Sequence, residues 1–185
     1  MRKLKLQVQV TLDGFVAGPN SEMDFFTWNW GDDIKQYVTD LTNSVDTILL
    51  GRKLAEGFIP YWKSYQENPE TSNEFGNQMV DYPKVVFTKT LKESQWENTK
   101  LATGDLAEEV NRLKSASGKD MIAYGGANFV SNLIKAGLID DYHIFINPVA
   151  VGEGMRIFTQ KTNLQLVELK EFECGIVVMH YQNRK

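Results

Sequence analysis

Lys119–Leu138, KDMIAYGGANFVSNLIKAGL, is the stretch on which the reading of the fold turns. Met121, Ile122 and Ala123 form an apolar run with no charge to face solvent, and the run stops at Gly125-Gly126. Beyond the pair, Phe129, Val130, Leu133 and Ile134 recur at helical spacing. Lys135 stands in the last turn, and Gly137 follows where a left-handed C-terminal cap belongs. The unit is a buried strand, a glycine turn and a helix. Glycines at such a turn let a ligand approach the main chain, and the unpaired N–H groups of the first helical turn, with the helix dipole, attract phosphate. Tight strand-to-helix turns also use glycine for backbone reasons alone, so the pair needs support from elsewhere in the chain.

Three further segments supply it. Val45–Leu50 is a β-rich run that leads into Gly51-Arg52-Lys53, again strand, glycine and helix, with two cations at a helix start where the dipole disfavours them. An anion beside them would offset that cost; two solvated surface cations are the plain alternative. Lys84–Phe87 is another buried strand, followed by Thr88-Lys89-Thr90-Leu91 at its C-terminal end, where open α/β sheets bind ligands. At the N-terminus Leu4, Leu6, Val8 and Val10 alternate with Lys3, Lys5, Gln7 and Gln9. That strand runs into Thr11–Pro19, rich in turn formers yet carrying Phe15, Val16 and Ala17. Such a loop either folds over a site or tucks its apolar residues onto the core edge.

The remaining segments complete one α/β domain spanning residues 1–185. Phe25, Phe26, Trp28 and Trp30 concentrate aromatic surface in a loop. Asp32 is predicted to cap a helix with Ile34, Tyr37, Val38 and Leu41 on its apolar face. Leu54, Phe58, Tyr61 and Trp62 belong to a partly buried helix or turn whose regularity Pro60 is predicted to limit. Phe75, Met79 and Val80 make a short helix ending before Pro83, and Asp105 caps the helix of Leu106, Val110 and Leu113. Asp140–Val151 is strand-like, with Pro148 at an end, an edge or a bulge. Leu164–Leu169 and Ile176–Met179 read as two closing strands, antiparallel to each other. Strands and helices alternate early and the tail is strand only, so the sheet is predicted to be mixed.

Composition narrows the function classes. The chain has 185 residues, 42% of them hydrophobic and 24% charged, with a formal charge of −4. That balance argues against a nucleic-acid surface. Cys174 is the single cysteine and His143 and His180 the only histidines, so neither a disulfide nor a metal cluster is predicted. The alternating N-terminus is neither a signal peptide nor a membrane span, and a cytoplasmic protein is expected. There is no GxSxG, HExxH, Walker A or GxGxxG pattern. Each histidine reads as a structural residue on a sheet face.

The order of the segments resembles the dihydrofolate reductase superfamily. Within it, the resemblance is to stand-alone relatives of the C-terminal reductase domain of bacterial bifunctional riboflavin-biosynthesis deaminase/reductases. The marks are Leu12-Asp13-Gly14-Phe15-Val16-Ala17, Val45 through Lys53, Val86-Phe87-Thr88-Lys89-Thr90-Leu91, Tyr124-Gly125-Gly126-Ala127, and Gly137 through Tyr142 leading to Pro148 and Gly152. The resemblance implies a three-layer α/β/α fold with a mixed, mainly parallel sheet, antiparallel C-terminal strands and an NADPH crevice. It assigns the adenosine 2'-phosphate to Arg52, Thr88, Lys89 and Thr90, with Gly51 and Lys53 beside them. The pyrophosphate falls to Gly125, Gly126, Ala127 and Asn128, and the cover of the nicotinamide to Val16 and Ala17. In that family the bond between the two glycines is cis. Leu54, Tyr124 and Phe15 depart from the family's polar residues at their positions, which leaves the substrate less defined than the cofactor.

The implied chemistry is hydride transfer from NADPH to a flat heterocycle held by Phe15, Phe25, Phe26, Trp28 and Trp30, like that of 5-amino-6-(5-phosphoribosylamino)uracil reductase in riboflavin biosynthesis. Asp32 and Asp33 are the candidate proton donors, at about the place where dihydrofolate reductases carry a carboxylate. A non-catalytic NADP-binding module and a dihydrofolate reductase proper are the alternatives. The family's members commonly pair, so a homodimer is expected.

Overall fold

The computed structural model of the protein describes residues 1–184. The chain runs β1 (Leu4–Thr11), α1 (Asp32–Asn43), β2 (Val45–Gly51), α2 (Arg52–Glu67), α3 (Glu74–Asp81), β3 (Lys84–Phe87) and β4 (Thr99–Ala102). It continues through α4 (Leu106–Ser115), β5 (Asp120–Ala123), α5 (Ala127–Lys135), β6 (Asp141–Asn147), β7 (Leu164–Glu171) and β8 (Val177–Asn183). The strands form one sheet in the order β4-β3-β2-β5-β1-β6-β8-β7. β1 to β6 are mutually parallel, while β8 is antiparallel to both β6 and β7. The mixed sheet read from the sequence is the sheet observed.

Period-two alternation places the side chains of the inner strands on two covered faces, whereas β7 at the edge is exposed along most of its length. Leu4, Leu6, Val8 and Val10 of β1 pack with Val110 of α4 and with Val130, Leu133 and Ile134 of α5. On the opposite face Ile48 and Leu50 of β2, Val86 and Ile122 meet Leu41 of α1, Ala55 of α2 and Met79 of α3. Three layers result. The division follows from right-handed crossovers: α1, α2 and α3 connect strands that step toward β4, whereas α4 and α5 connect strands that step the other way.

α5 ends as its sequence requires. Gly137 adopts φ +64°, its N–H reaches the Ile134 carbonyl at 3.0 Å, and the Leu138 N–H reaches the Leu133 carbonyl at 3.0 Å, a Schellman cap.

Three details differ from the sequence expectation. The N-cap of α1 is Gly31, and Asp32 is the first helical residue; its carboxylate faces solvent beside Lys35, the two being 4.0 Å apart. α2 continues through Pro60, because aromatic packing secures both sides of the missing N–H: Trp62 lies 6.1 Å from Phe58, 5.2 Å from Tyr65 and 5.3 Å from Phe75. No peptide bond among the described residues is cis. Gly125 and Gly126 turn the chain instead with φ of +143° and +83°, values that residues with a Cβ rarely adopt.

The polar side of β1 is also covered. Gln7 and Gln9 are buried, and in register with Gln7 stands His143 of β6, which pairs with His180 of β8. The two imidazoles stack at 4.4 Å, with Tyr37 Oη 2.7 Å from His143 Nδ1 and His180 Nε2 2.7 Å from Asp141 Oδ1. Both histidines therefore sit in a polar network on the sheet face. Burial lowers the His143 pKa to about 3, and the neighbouring His180 pushes the same way. Among the described residues no helix is long and apolar enough to cross a membrane, and no group of three metal-ligating side chains forms.

A buried neutral histidine ties stability to pH. Between about pH 6.5 and 3 the unfolded chain binds a proton that the folded chain refuses, so stability should fall as pH is lowered through that window. The maximal slope for one proton is about 1.4 kcal/mol per pH unit. Urea unfolding of the wild type and His143→Gln between pH 4 and 7 should show a shallower dependence in the variant; parallel curves would contradict the assignment.

Candidate functional site

Four neighbouring parallel strands, β3, β2, β5 and β1, end on one edge of the sheet. Their loops hold the residues singled out by the sequence. At strand spacings of about 4.8 Å, the four ends span roughly 15 Å. β1 sends its connection toward β2 and β5 sends its own toward β6. The chain thus leaves in opposite directions from two adjacent strands, which opens a crevice at a topological switch point.

The glycine pair lies at this point. A Cβ on Gly125 would meet only Leu54 Cδ2, at 3.9 Å, so the pair is required by its positive φ values and leaves its outer side open. Gly126 caps α5 without any side-chain hydrogen bond to the first turn. The leading amides of Ala127 and Asn128 therefore lack a capping side chain, as an anion site needs.

Gly51 has a different cause. Its φ is an ordinary −75°, but a Cβ there would lie 2.8 Å from Phe129 Cβ, so α5 seats against the end of β2 only because residue 51 has no side chain. Gly51 pairs with Phe87 across β2 and β3, which places Arg52 and Thr88 at equivalent positions one residue further on. Arg52 is ion-paired with Glu56 one turn along α2. Lys53 is exposed and carries no ion pair among the described residues. Thr88 is buried, and its Oγ1 accepts from the N–H groups of Thr90 and Leu91, each at 3.1 Å, while Lys89 Nζ donates to the carbonyls of Thr103 at 3.1 Å and Gly104 at 2.6 Å. Thr88 and Lys89 hold the turn and Thr90 is exposed on it, while Arg52 and Lys53 stand in the first turn of α2 beside it.

On the β1 side, Val16 and Ala17 are buried and bridged to Met155: Val16 N donates to the Met155 carbonyl at 2.9 Å and Met155 N to the Ala17 carbonyl at 2.8 Å. Asp13 locks the two loops together. Its carboxylate accepts from Thr11 Oγ1 at 2.6 Å and Gly152 N at 2.8 Å, and these bonds hold its pKa below the usual carboxylate value. Phe15 is buried with the Arg156 guanidinium 4.1 Å above its ring, so its face is taken by a cation.

The aromatic loop forms a continuous wall. Phe25 contacts Phe26 at 4.8 Å, Phe26 contacts Trp28 at 6.1 Å, Trp28 contacts Trp30 at 6.1 Å, and Trp30 stacks on Phe145 of β6 at 6.2 Å. Trp28 is 54% exposed, so the wall presents a free face. Asn147, fully buried at the end of β6, fastens the loop by accepting from Thr27 N at 3.0 Å. Asp33 is turned away from the wall toward the β7–β8 hairpin, where its carboxylate accepts from Ile34 N at 2.7 Å and Glu173 N at 2.9 Å. Sequence reasoning passed over Asn147 and Gln9, whose side-chain amides bond each other at 2.7 Å. The available signal was a pair of amides among apolar residues in two strands that must lie inside the sheet.

The model of the RibD C-terminal domain family matches residues 2–178, nearly the whole chain. The protein belongs to the RibD C-terminal domain family. Its Bacillus subtilis (strain 168) relative YyaP is 36% identical over 187 residues, covering 97% of this chain and 94% of YyaP. Similar folds occur in a candidate riboflavin biosynthesis protein of Shewanella sp. PV-4, with a TM-score of 0.74, 17% identity and full coverage of both chains. They occur also in the Thermotoga maritima diaminohydroxyphosphoribosylaminopyrimidine deaminase/5-amino-6-(5-phosphoribosylamino)uracil reductase, with a TM-score of 0.70 and 16% identity over 99% of this chain and 57% of that one. As a RibD C-terminal domain protein, the chain is reductase-like and has the dihydrofolate-reductase-like three-layer fold read from its sequence.

The Gly51 contact is testable without a ligand. Gly51→Ala should destabilise the protein by about 1–3 kcal/mol in urea unfolding through overpacking against Phe129. In a Phe129→Gly background, which removes the clashing Cβ itself, the same substitution should cost nearly nothing; an undiminished penalty would place the strain elsewhere.

Proposed function

We propose that this RibD-like protein is an NADPH-dependent reductase of a small, flat heterocycle, as in riboflavin-pathway reduction of an aminouracil. The observation that carries the reading is the convergence of four strand ends on the switch-point crevice, with an uncapped helix N-terminus in the middle and cations to one side. The residues fit the dinucleotide. The open side of Gly125-Gly126 and the leading amides of Ala127 and Asn128 suit a pyrophosphate. Arg52 and Lys53 at the start of α2, with Thr90 on the neighbouring turn braced by Thr88 and Lys89, suit the 2'-phosphate. Val16 and Ala17, buried beyond β1 and bridged to Met155, would border the nicotinamide, and Trp28, with Phe25 and Trp30 beside it and Phe26 buried behind, offers an apolar face for a ring.

When bound, NADPH supplies a hydride. The chain's residues orient the two rings and exclude water. Both candidate acids lie outside this arrangement, Asp32 in solvent and Asp33 in the bonds to Ile34 and Glu173. Replacing a general acid costs about 10²–10⁴-fold in rate. Asp32→Asn and Asp33→Asn should each cost far less than that; a hundredfold loss in either would restore it as the proton donor.

A homodimer and a cytoplasmic setting complete the reading. β7 is an edge strand whose Leu166, Val167 and Leu169 are half exposed, a surface that a second copy of the chain would cover. Light scattering should return a dimer mass for the wild type, and a lower mass for Leu169→Lys.

Calorimetric titration tests the cofactor directly. NADPH should bind at least about tenfold more tightly than NADH, and Lys53→Ala should erase much of that difference. Glu56→Gln, by releasing Arg52, should strengthen NADPH binding and leave NADH unchanged. Equal affinity for the two nucleotides would overturn the 2'-phosphate assignment, and uptake of neither would overturn the reductase reading.

A further inference from the structure

Gln9 lies near the C-terminal end of β1, opposite Phe145 of β6 on the α1 face of the sheet. Its surroundings dictate which way its amide points. The Thr27 N–H can only donate, so the Asn147 atom 3.0 Å from it is Oδ1. Asn147 Nδ2 then faces two acceptors, the Phe145 carbonyl at 3.3 Å and the Val10 carbonyl at 3.5 Å, which confirms the same orientation. Nδ2 also donates to Gln9 at 2.7 Å, so Gln9 must offer it Oε1. A backbone N–H in the aromatic loop thereby fixes, through two amides, the direction of Gln9 Nε2.

That Nε2 has no acceptor among the described residues. Gln9 is nine-tenths buried, yet Nε2 is not among the buried polar atoms sealed without a partner, so it still reaches solvent-accessible space. Two features identify that space. The β1–β5 ladder ends at Leu6–Ala123, after which β5 turns off into Tyr124 and the glycine pair, so Gln9 has no paired residue on that flank. On its other flank Phe145 carries the stacked Trp30 that ends the aromatic wall. The unused donor therefore lies on the floor of the cleft, between the glycine turn and the wall.

We propose that Gln9 orients the substrate by donating from Nε2 to a carbonyl oxygen or ring nitrogen on the edge of the heterocycle; this rests on the reading of the cleft as a heterocycle reductase site. A neutral donor held in one direction accepts a lactam or imine edge and rejects a ring that presents an amino group or hydrocarbon there, because the buried N–H₂ would then stay unpaired. Gln9 is a specificity-determining residue. Asn147 and Thr27 position it, so the seating of the aromatic loop and the direction of the donor are set together.

The test uses the intact protein loaded with NADP⁺ and three probes that each bear a ring carbonyl: lumazine, pterin and 5-aminouracil. At least one should bind the wild type and shift the side-chain amide resonance of Gln9 in a ¹⁵N-labelled sample. Gln9→Met should weaken that binding by about tenfold, and Gln9→Glu, which presents an acceptor to an acceptor, by more. NADP⁺ affinity should stay within about twofold of the wild type in both variants. Failure of all three probes to bind, an unmoved Gln9 amide resonance, or equal probe affinity in Gln9→Met would overturn the proposal. If Gln9→Met fails to fold, the resonance in the wild-type protein decides alone. Loss of NADP⁺ binding by the wild type itself would instead sink the reductase reading, a separate outcome in the same titration.

Discussion

The right-handedness of parallel crossovers is the constraint from which the site follows. A chain that leaves β1 for one side of the sheet and β5 for the other must place α1 and α5 on opposite faces. The C-terminal ends of those two strands are then left between the two helix layers, bordered by their own loops. The glycine pair and the N-terminus of α5 lie in that gap because β5 ends there, and the loop after β1 lies there because its neighbour does. The crevice is thus a consequence of topology, and the side chains around it only decide what enters.

The two sides of the crevice are built in different ways. On the β2–β3 side the polar groups are individually committed: Thr88 to the amides of its own turn, Lys89 to two carbonyls, Arg52 to Glu56. The result is a braced turn beside the start of α2, where Lys53 carries no ion pair among the described residues. On the β1–β6 side a short chain of amides, Thr27 to Asn147 to Gln9, links a loop to a strand. One side is a braced turn beside two cations, and the other ties the aromatic loop to β6 and β1.

Much of the fold was legible because its signals are periodic. The alternation in β1, the apolar run before Gly125-Gly126 and the helical spacing after it led to the right elements, and the strand-only tail led to the antiparallel closure. Cap identity and helix length were less so. Asp32 is a good capping residue by type, but Gly31 took the place, and Pro60 did not end α2 because the aromatic side chains of Phe58, Trp62 and Tyr65 anchor both halves. The sequence also could not separate the reasons for glycine: Gly125 and Gly126 are set by dihedral angle, Gly51 by the closeness of Phe129. Gln9 and Asn147 escaped notice because their significance is relational, created by a register between β1 and β6 that only the assembled sheet displays.

A crystal structure of the protein soaked with NADPH tests the central claim most directly. The account requires one extended dinucleotide along the C-terminal edges of β3, β2, β5 and β1, with its pyrophosphate at the amides of Ala127 and Asn128 and its 2'-phosphate beside Arg52 and Lys53. Density at any other surface, or a pyrophosphate away from the glycine pair, would contradict it.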